Sequence, residues 1–330
     1  MRKPADFEAT SRARVWTTTG LTRRIAPYAS LLAMAFLLSL LSPHFLTLEN
    51  LFAIGVQMAV IAIMAIGQIM VIISGGIDLS VGSVMALSGV ISTMLIASGV
   101  PIGWGIFAGT LVGGMCGLLN GTLIAYGYLP PFIATLGMMG IARGAALLLT
   151  GGVPIFGLPP SFNMLGGGRI FLGIPVPVAI LAALAVIGHF VLTRMRFGRY
   201  VFAIGSNAEA ARLSGINVRS VIARIYTYAG LLYGFAGVLM ASRLSTGQPT
   251  AGTGYELDVI AACVIGGASL SGGEGTVLGA IIGALIMGVL RNGCNLLDIS
   301  AFWQQIAIGA IIVVAVFSDQ YRKHKVKGAA

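Results

Sequence analysis

Apolar residues occur in long runs along this 330-residue chain, and short polar or glycine-rich segments separate the runs. A helix needs about 20 consecutive apolar residues to cross a bilayer, so the pattern predicts about ten membrane-spanning helices in an all-α, polytopic integral membrane protein. The candidate spans cover residues 25–46, 51–73, 80–98, 102–126, 131–150, 171–193, 220–241, 257–271, 274–295 and 301–318. The run at 257–271 is short, which favours a broken or half-length helix surrounded by protein.

Basic residues lie in three clusters between and beyond the apolar runs: Arg2–Arg24, Arg194–Arg224 and Arg322–Lys327. Cytoplasmic segments of membrane proteins carry an excess of Lys and Arg. The candidate spans that separate successive clusters are even in number, so the chain returns to the same side of the membrane at each cluster. We therefore expect both termini and the loop at 194–219 to be cytoplasmic.

The composition supports a membrane protein and argues against a nucleic-acid-binding one. The chain is 57% hydrophobic and 9% charged, with a mean hydropathy of +0.95, whereas soluble domains carry about 25% charged residues. Its 20 Lys and Arg residues exceed its 10 acidic residues, but their clustering beside apolar runs follows membrane topology. We divide the chain into a cytoplasmic tail at 1–24, a membrane domain at 25–318 and a second cytoplasmic tail at 319–330.

The chemistry that enzymes need is missing from the sequence. Cys116, Cys263 and Cys294 lie in or beside apolar runs without Cys-x-x-Cys spacing, so we expect free thiols rather than a zinc site or a disulfide framework. The sequence has no Gly-x-x-x-x-Gly-Lys-Ser/Thr loop, no His-Glu-x-x-His and no convincing nucleophile–base pair. We therefore predict a protein without catalytic residues, cofactor or metal, and any nucleotide hydrolysis that drives it belongs to another chain.

A glycine-rich break recurs in the two halves of the chain. Gly75–Gly82 and Gly266–Gly273 share the frame Gly-Gly-x-x-Leu-Ser-x-Gly. Polar, glycine-rich interruptions in both halves of an apolar chain point to the working centre of a transporter, although two tight turns would give the same pattern. In the first break, we predict that Asp78 and Ser80 lie beside the pathway and that Asp78 caps a helix beginning near Ser80.

Two candidate spans also carry glycine at every fourth position, which places the glycines on one helix face. Such a face permits either tight packing, which we favour, or a helix that slides beside a pathway. The two spans suggest an internal repeat of five spans, whereas the glycine-rich breaks suggest an offset of six. The ladders are Gly105, Gly109, Gly113, Gly117 and Gly121 in one span and Gly275, Gly279 and Gly283 in the other.

The cytoplasmic loop contains a short helix with signals at both ends. Ser206 and Glu209 have the spacing of a capping box, in which the Ser206 hydroxyl caps the helix and Glu209 reaches back. Ala210, Ala211 and Arg212 continue the helix. Gly215 is predicted to end it as a left-handed residue. The helix is either an interfacial linker or a docking element for a cytoplasmic partner.

Several ordered motifs resemble the ribose-type branch of sugar ABC permeases, over about residues 45–318. The segment Glu209-Ala210-Ala211-x-x-x-Gly215 resembles the loop by which permeases of ABC importers engage their ATPase subunits. Further matching motifs are Gly75–Gly82 with Ser83, Asn120-Gly121, Pro131–Leu136, Gly198–Tyr200, Arg212–Asn217 and Gln248–Asp258. The resemblance implies a permease homodimer in the bacterial inner membrane, in contact with lipid, a separate ATPase subunit and a periplasmic monosaccharide-binding protein.

Other polar residues are candidates for the pathway or an external gate. The segment Arg243–Asp258 is predicted to lie outside and is either an ordinary loop or a docking and gating surface; its candidate residues are Gln248, Tyr255, Glu256 and Asp258. Asn120 and Asn292 are pathway candidates, and Arg291 stands where the resemblance leads us to expect an uncharged polar residue. Arg143, inside an apolar span, is a functional candidate or an interhelical partner.

The sequence therefore predicts the membrane subunit of an ATP-driven monosaccharide importer. The alternative is an ion-coupled secondary sugar carrier, which would need an acid such as Asp78 to bind the ion. The capped helix at 206–215 discriminates between them, because a carrier has no use for a docking helix.

Overall fold

The computed structural model describes residues 26–300, 302–311, 313, 314 and 317, and this part of the chain is helical without a named strand. The predicted tails at 1–24 and 319–330 lie outside the described residues. The helices are α1 (Ala26–Leu41), α2 (Leu48–Ile73), α3 (Val81–Ala97), α4 (Ile102–Ala125), α5 (Pro131–Thr150), α6 (Pro160–Gly167), α7 (Val176–Arg194), α8 (Arg196–Ser206), α9 (Ala208–Leu213), α10 (Val218–Leu244), α11 (Tyr255–Ile265), α12 (Val277–Leu296) and α13 (302–311).

Six of these helices, namely α2, α4, α5, α7, α10 and α12, are long and apolar enough to cross a membrane. The described residues are helical, consistent with the predicted polytopic membrane protein. The apolar helices α1 and α3 are shorter. The reversal predicted at Gly75–Gly82 is present, since α2 ends at Ile73 and α3 begins at Val81. The predicted short helix is also present, since α11 has only 11 residues.

One predicted span starts later than the apolar pattern indicates. The run beginning at residue 171 forms a tight hairpin before α7, closed by the amide of Ile170 donating to the carbonyl of Ile174 at 2.8 Å. Pro175 then precedes the first helical residue, Val176. Proline fixes φ and lacks an amide hydrogen, so it suits a helix start but not a helix interior.

The centre of the protein is α2, whose residues from Met58 to Ile73 are all buried. It packs against α7, α10, α11 and α12. A helix that is apolar on every side can be buried among other helices or face lipid; α2 is the buried kind, whereas the similarly apolar α7 is largely unburied. By contrast, the outward faces of α4 and α7 expose large apolar side chains such as Phe107, Leu111, Val186 and Phe190, as lipid-facing helices do.

The first glycine ladder supports tight packing. All five of its glycines are buried on α4, and they face α10 and α3. A Cβ added at Gly121 would lie 2.7 Å from the Cα of Ala223, and one added at Gly113 would lie 2.5 Å from the Cα of Gly234. The helix backbones therefore touch, as small-residue faces allow.

The second ladder is only partly a helix face. Gly279 and Gly283 are buried on α12 and face the backbone of α11 at Gly266 and Ala262. Gly275 lies before the first helical residue, Val277, so its predicted place on the same face is wrong. The reason is Thr276, whose hydroxyl accepts from the amide of Gly279 at 3.0 Å and caps the helix start after Gly275.

Candidate functional site

The first glycine-rich break joins the end of α2 to the start of α3. Gly75 has a φ of +85°, a left-handed conformation that suits glycine. This conformation lets the amides of Gly75 and Gly76 donate to the carbonyls of Ile72 and Val71, at 2.9 and 3.0 Å. The end of α2 is thus closed by its own backbone inside the protein.

Asp78 lies at the start of α3 but does not cap the helix amides, so that part of the prediction is wrong; it bonds to Ser80 instead. Its Oδ1 accepts from the backbone amide of Ser80 at 2.8 Å and from the Ser80 hydroxyl at 2.6 Å. Ser80 is the N-cap residue of α3, and its own side chain makes no cap bond to the helix. Asp78 therefore binds the cap residue itself rather than the free amides of the first helical turn, a local side-chain-to-backbone turn typical of Asp.

A buried hydrogen-bond network extends from this turn to three helices. The Nδ2 of Asn120 on α4 donates to the Ser80 hydroxyl at 3.1 Å. Gln68 on α2 donates to the carbonyl of Asp78 at 3.3 Å and accepts from the hydroxyl of Tyr233 on α10 at 2.7 Å. All five residues are buried. The network links α2, α4 and α10 to the break.

Gln68 and Tyr233 are not among the site residues predicted from the sequence. A signal for Gln68 was present, because it is the only polar side chain between Met58 and Ile73. A polar group inside an apolar span is costly unless it is hydrogen-bonded. Tyr233 gives no comparable signal, since its partner lies 165 positions away.

The network leaves several polar atoms unsatisfied. Among the described residues, Asp78 Oδ2, Asn120 Oδ1 and the hydroxyl of Tyr226 are buried without a hydrogen-bond partner. Leaving a buried polar group unpaired costs about 1–3 kcal/mol.

The second break, between α11 and α12, lies against the first. The amide of Gly273 donates to the carbonyl of Ile73, the last residue of α2, at 2.8 Å. A Cβ added at Gly272 would lie 3.2 Å from the Cα of Gly75. The two copies of the repeated glycine frame, far apart in sequence, thus meet in space.

The loop at 194–219 forms the short helix α9, but its N-cap is Asn207, so the prediction of Ser206 as N-cap is wrong. The Asn207 side chain accepts from the amide of Ala210 at 2.9 Å. Ser206 is the last residue of α8, and the backbone turns extended only at Asn207, with φ −162° and ψ 102°. Glu209 therefore falls one position too early in the helix to close a capping box.

Glu209 pairs instead with Arg212, at 3.0 and 2.6 Å. These bonds lower the pKa of the Glu209 carboxyl below its ordinary value. Both side chains are more than half exposed, so the pair adds little stability. At neutral pH, α9 therefore presents an ionised pair, Glu209 and Arg212, on its surface.

Gly215 ends α9 as predicted, with a φ of +84°. Its amide donates to the carbonyl of Arg212 at 3.0 Å, and the amide of Ile216 donates to the carbonyl of Ala211 at 3.1 Å. This pair of bonds is the Schellman motif. Both ends of α9 are therefore held by specific hydrogen bonds.

The segment between α10 and α11 is held by Arg143 of α5. Its guanidinium donates to the carbonyls of Pro249 and Ala251, at 2.6 and 2.9 Å. Both carbonyls lie in turns rather than in a helix, so Arg143 anchors a loop and does not pair with a second helix. Glu256 lies beside the start of α3, because a Cβ added at Gly82 would lie 3.2 Å from its Oε2. Gln248 is exposed and Tyr255 is half-buried.

Asp258 and Asn292 pair with residues other than those of the break. Arg291 of α12 donates to both carboxylate oxygens of Asp258 of α11. Asn292 exchanges hydrogen bonds with Asn50 of α2, at 2.7 and 3.0 Å. The structure therefore brings Asp78, Ser80 and Asn120 into one network, and it places Asp258 and Asn292 in separate contacts between helices.

Comparison with known proteins gives one family and a group of close relatives. Residues 50–316 match the family described as "Branched-chain amino acid transport system / permease component". The chain is 43% identical to the ribose import permease protein of Escherichia coli (strain K12) over 89% of this chain and 92% of the relative. It is 45% identical to the ribose import permease protein of Bacillus subtilis (strain 168), over 91% and 94%.

A further relative is the L-arabinose ABC transporter permease protein of Azospirillum brasilense. It is 39% identical over 96% of this chain and 92% of the relative. No solved structure matches the chain.

Proposed function

This chain belongs to the permease family matched over residues 50–316, and we propose that it is the membrane-spanning subunit of an ATP-binding cassette importer for a monosaccharide of the ribose type. The relatives named for ribose and L-arabinose support the sugar class, since they share 39–45% of their residues with this chain over nearly its whole length. The subunit forms the translocation pathway and performs no bond chemistry itself.

The observation that carries the coupling part of this proposal is α9, a helix of six residues with both ends fixed. Asn207 caps its start and Gly215 closes its end. A rigid helix between two longer helices can pass a partner's movement into the membrane domain, whereas an unstructured loop would absorb it. We therefore assign α9 and its flanks as the contact for a separate ATPase subunit, formed by Ser206, Asn207, Glu209, Ala210, Ala211, Arg212 and Gly215.

The charge distribution supports a topology of ten spans with cytoplasmic termini in the bacterial inner membrane. Of the six arginines from Arg194 to Arg224, five flank α9 in sequence and Arg212 lies in it, and positive charge marks cytoplasmic segments. In this topology the segment between α10 and α11 faces the periplasm, where a sugar-binding protein delivers the substrate. We further propose that two copies of this permease enclose the pathway.

Within the membrane domain, we place the pathway beside the first glycine break. Asp78, Ser80 and Asn120 provide a polar start to α3, and Glu256 lies near Gly82 on the outer side of the same break. Gln248 and Tyr255 belong to the external gate. We assign structural roles to Asp258 and Asn292, since each is engaged by a neighbouring helix.

Sugar uptake under separate control of ATP and the proton gradient tests the proposal. Cells expressing the permease with its ATPase subunit and binding protein should take up sugar in the presence of an uncoupler when ATP is held constant. An otherwise identical strain whose ATPase subunit cannot hydrolyse ATP should show no uptake. Uptake that stops with the uncoupler and continues without ATP hydrolysis would instead establish an ion-coupled carrier, with Asp78 as the first candidate for the ion site.

A further inference from the structure

The end of α2, the end of α8 and the second glycine break meet through their backbone atoms. The carbonyl of Ile73, at the end of α2, accepts from the amide of Gly273 in the second break at 2.8 Å. Gly205, in the last turn of α8, lies against both groups. A Cβ added at Gly205 would lie 2.7 Å from the nitrogen of Gly273 and would overlap the carbonyl oxygen of Ile73. The position therefore has no room for any side chain.

Gly272 of the second break lies between Gly205 and Gly75 of the first break. A Cβ added at Gly272 would lie 2.8 Å from the carbonyl oxygen of Gly205 and 3.2 Å from the Cα of Gly75. Gly75 opens the first break and Gly272 belongs to the second. The end of α8 thus touches the last residue of α2 and the second break through backbone atoms, and the second break touches Gly75 of the first.

Gly205 is also close to α9 along the chain. Only Ser206 separates it from Asn207, the residue that caps α9. Since α9 is fixed at both ends, a displacement of α9 acts on Gly205 through two residues of ordered backbone. Backbone groups in direct contact transmit displacement with little loss, because a packed interior is not compressible.

We propose that Gly205 is a positioning residue that transmits the movement of α9 to both glycine breaks at once, through a contact with Ile73 and Gly273 that persists throughout the transport cycle. The inference rests on the proposed function, in which an ATPase subunit moves α9. It adds the route by which one cytoplasmic helix reaches the two halves of the membrane domain. The breaks then carry the displacement to α3 and α12, which start directly after them.

A first experiment compares Gly205→Ala with Gly103→Ala. Both glycines are helical, and alanine is the better helix former at each, but nothing lies within 4 Å of a Cβ added at Gly103. Each variant is reconstituted in liposomes with the ATPase subunit and the binding protein. The readouts are co-purification of the ATPase subunit and the number of sugar molecules transported per ATP hydrolysed.

We expect Gly205→Ala to retain the ATPase subunit and to hydrolyse ATP. The number of sugar molecules transported per ATP should fall by at least about fivefold, which is the smallest typical coupling factor between two distinct sites. Gly103→Ala should keep the native ratio. A native ratio in Gly205→Ala would overturn the inference. If the unmodified chain neither binds an ATPase subunit nor shows ATP-driven uptake, the proposed function fails instead.

A disulfide between Ser206→Cys and Gly273→Cys tests whether the end of α8 stays in contact with the second break during transport. This test does not depend on whether Gly205→Ala folds. A Cβ added at Gly273 would lie 3.1 Å from the Ser206 Oγ, so the two sulfurs can meet. The pair is placed in a background with Cys116, Cys263 and Cys294 replaced by alanine. The reduced form of the same variant controls for strain at Gly273. Oxidised protein should transport at the rate of the reduced protein; transport that stops on oxidation and returns on reduction would overturn the inference.

Discussion

Arg291 on α12 donates from one guanidinium nitrogen to both carboxylate oxygens of Asp258 on α11, at 2.8 and 2.7 Å. The Asp258 side chain is 6% exposed and the Arg291 side chain 23%. A charge in apolar surroundings is tolerated when it has an opposite partner. The pair therefore explains why a cation can stand at position 291, and it holds together the two helices that flank the second break.

Removing one member of this pair should destabilise the protein more than removing both charges. Arg291→Gln leaves Asp258 buried and unpaired, at an expected cost of roughly 2–4 kcal/mol. The double variant Arg291→Gln, Asp258→Asn should cost less than the sum of the single variants, because the uncompensated charge is gone. Thermal unfolding in detergent of all four proteins measures this. Additive costs would show that the ion pair contributes nothing beyond the two separate side chains.

The cap of α9 is predicted to depend on Asn207 and not on Ser206. Asn207→Ala should weaken the helix by about 0.5–2 kcal/mol and reduce co-purification of the ATPase subunit. Asn207→Ser should retain most of the binding, since serine also caps. Ser206→Ala is the control for capping alone: it should leave the stability of α9 unchanged, because the cap bond comes from Asn207. If Ser206→Ala weakened α9 more than Asn207→Ala, the capping box predicted from the sequence would be correct after all.

Gly215 should be sensitive to backbone conformation alone, because nothing lies within 4 Å of a Cβ added there. Its positive φ disfavours a residue with a Cβ by roughly 1–2 kcal/mol, and most of all a β-branched one. Gly215→Val should insert normally and lower sugar-stimulated ATP hydrolysis in proteoliposomes. Gly215→Asn should have a milder effect, since Asn adopts the left-handed conformation more readily. Equal and native hydrolysis in both variants would make α9 a linker rather than a coupling helix.

At the first break, Asp78→Asn should retain most transport. The Oδ1 of Asn can still accept from the amide and hydroxyl of Ser80, as Asp78 does. Asp78→Leu removes the acceptor and leaves the buried Ser80 amide unpaired, at about 1–3 kcal/mol, so its uptake should fall sharply. Initial uptake rates, normalised to the amount of assembled protein, measure both. A well-assembled but inactive Asp78→Asn would mean that the charge itself is required.

The proposed topology predicts opposite labelling at two exposed leucines. Leu213 on α9 is 74% exposed and Leu172, in the hairpin before α7, is 79% exposed. In a background without native cysteines, Leu172→Cys should react in intact cells with a thiol reagent that does not cross the membrane. Leu213→Cys should react only after the cells are opened. Ready labelling of Leu213→Cys from outside would invert the topology.

The helices and their ends could be predicted largely from local signals. Apolar length predicts α2, α4 and α5 within a few residues, and Gly215 has the left-handed φ that its place after α9 indicates. The error at Ser206 arose because the Ser-x-x-Glu spacing does not reveal that α8 continues through Ser206. Local spacing gives the cap only when the preceding residue is not already helical.

The contacts that define the site could not be predicted in the same way. Gln68 bonds to Tyr233 and Arg291 bonds to Asp258, across 165 and 33 positions. The meeting of Ile73, Gly205 and Gly273 depends on how α2, α8 and the second break pack. The repeated glycine frame indicated that the two breaks matter, but only the folded arrangement shows that they touch.

The bonds from Arg143 to the carbonyls of Pro249 and Ala251 fix the backbone path of the segment between α10 and α11 without using its side chains. Main-chain carbonyls are present whatever side chains the segment carries, so its anchor does not depend on the identity of Gln248 or Thr250. Under the proposed function, in which this segment meets the sugar-binding protein, its side chains can be exchanged to suit a different partner while the backbone keeps its path. Arg143 thus makes this segment a surface on which specificity can change without refolding the transporter.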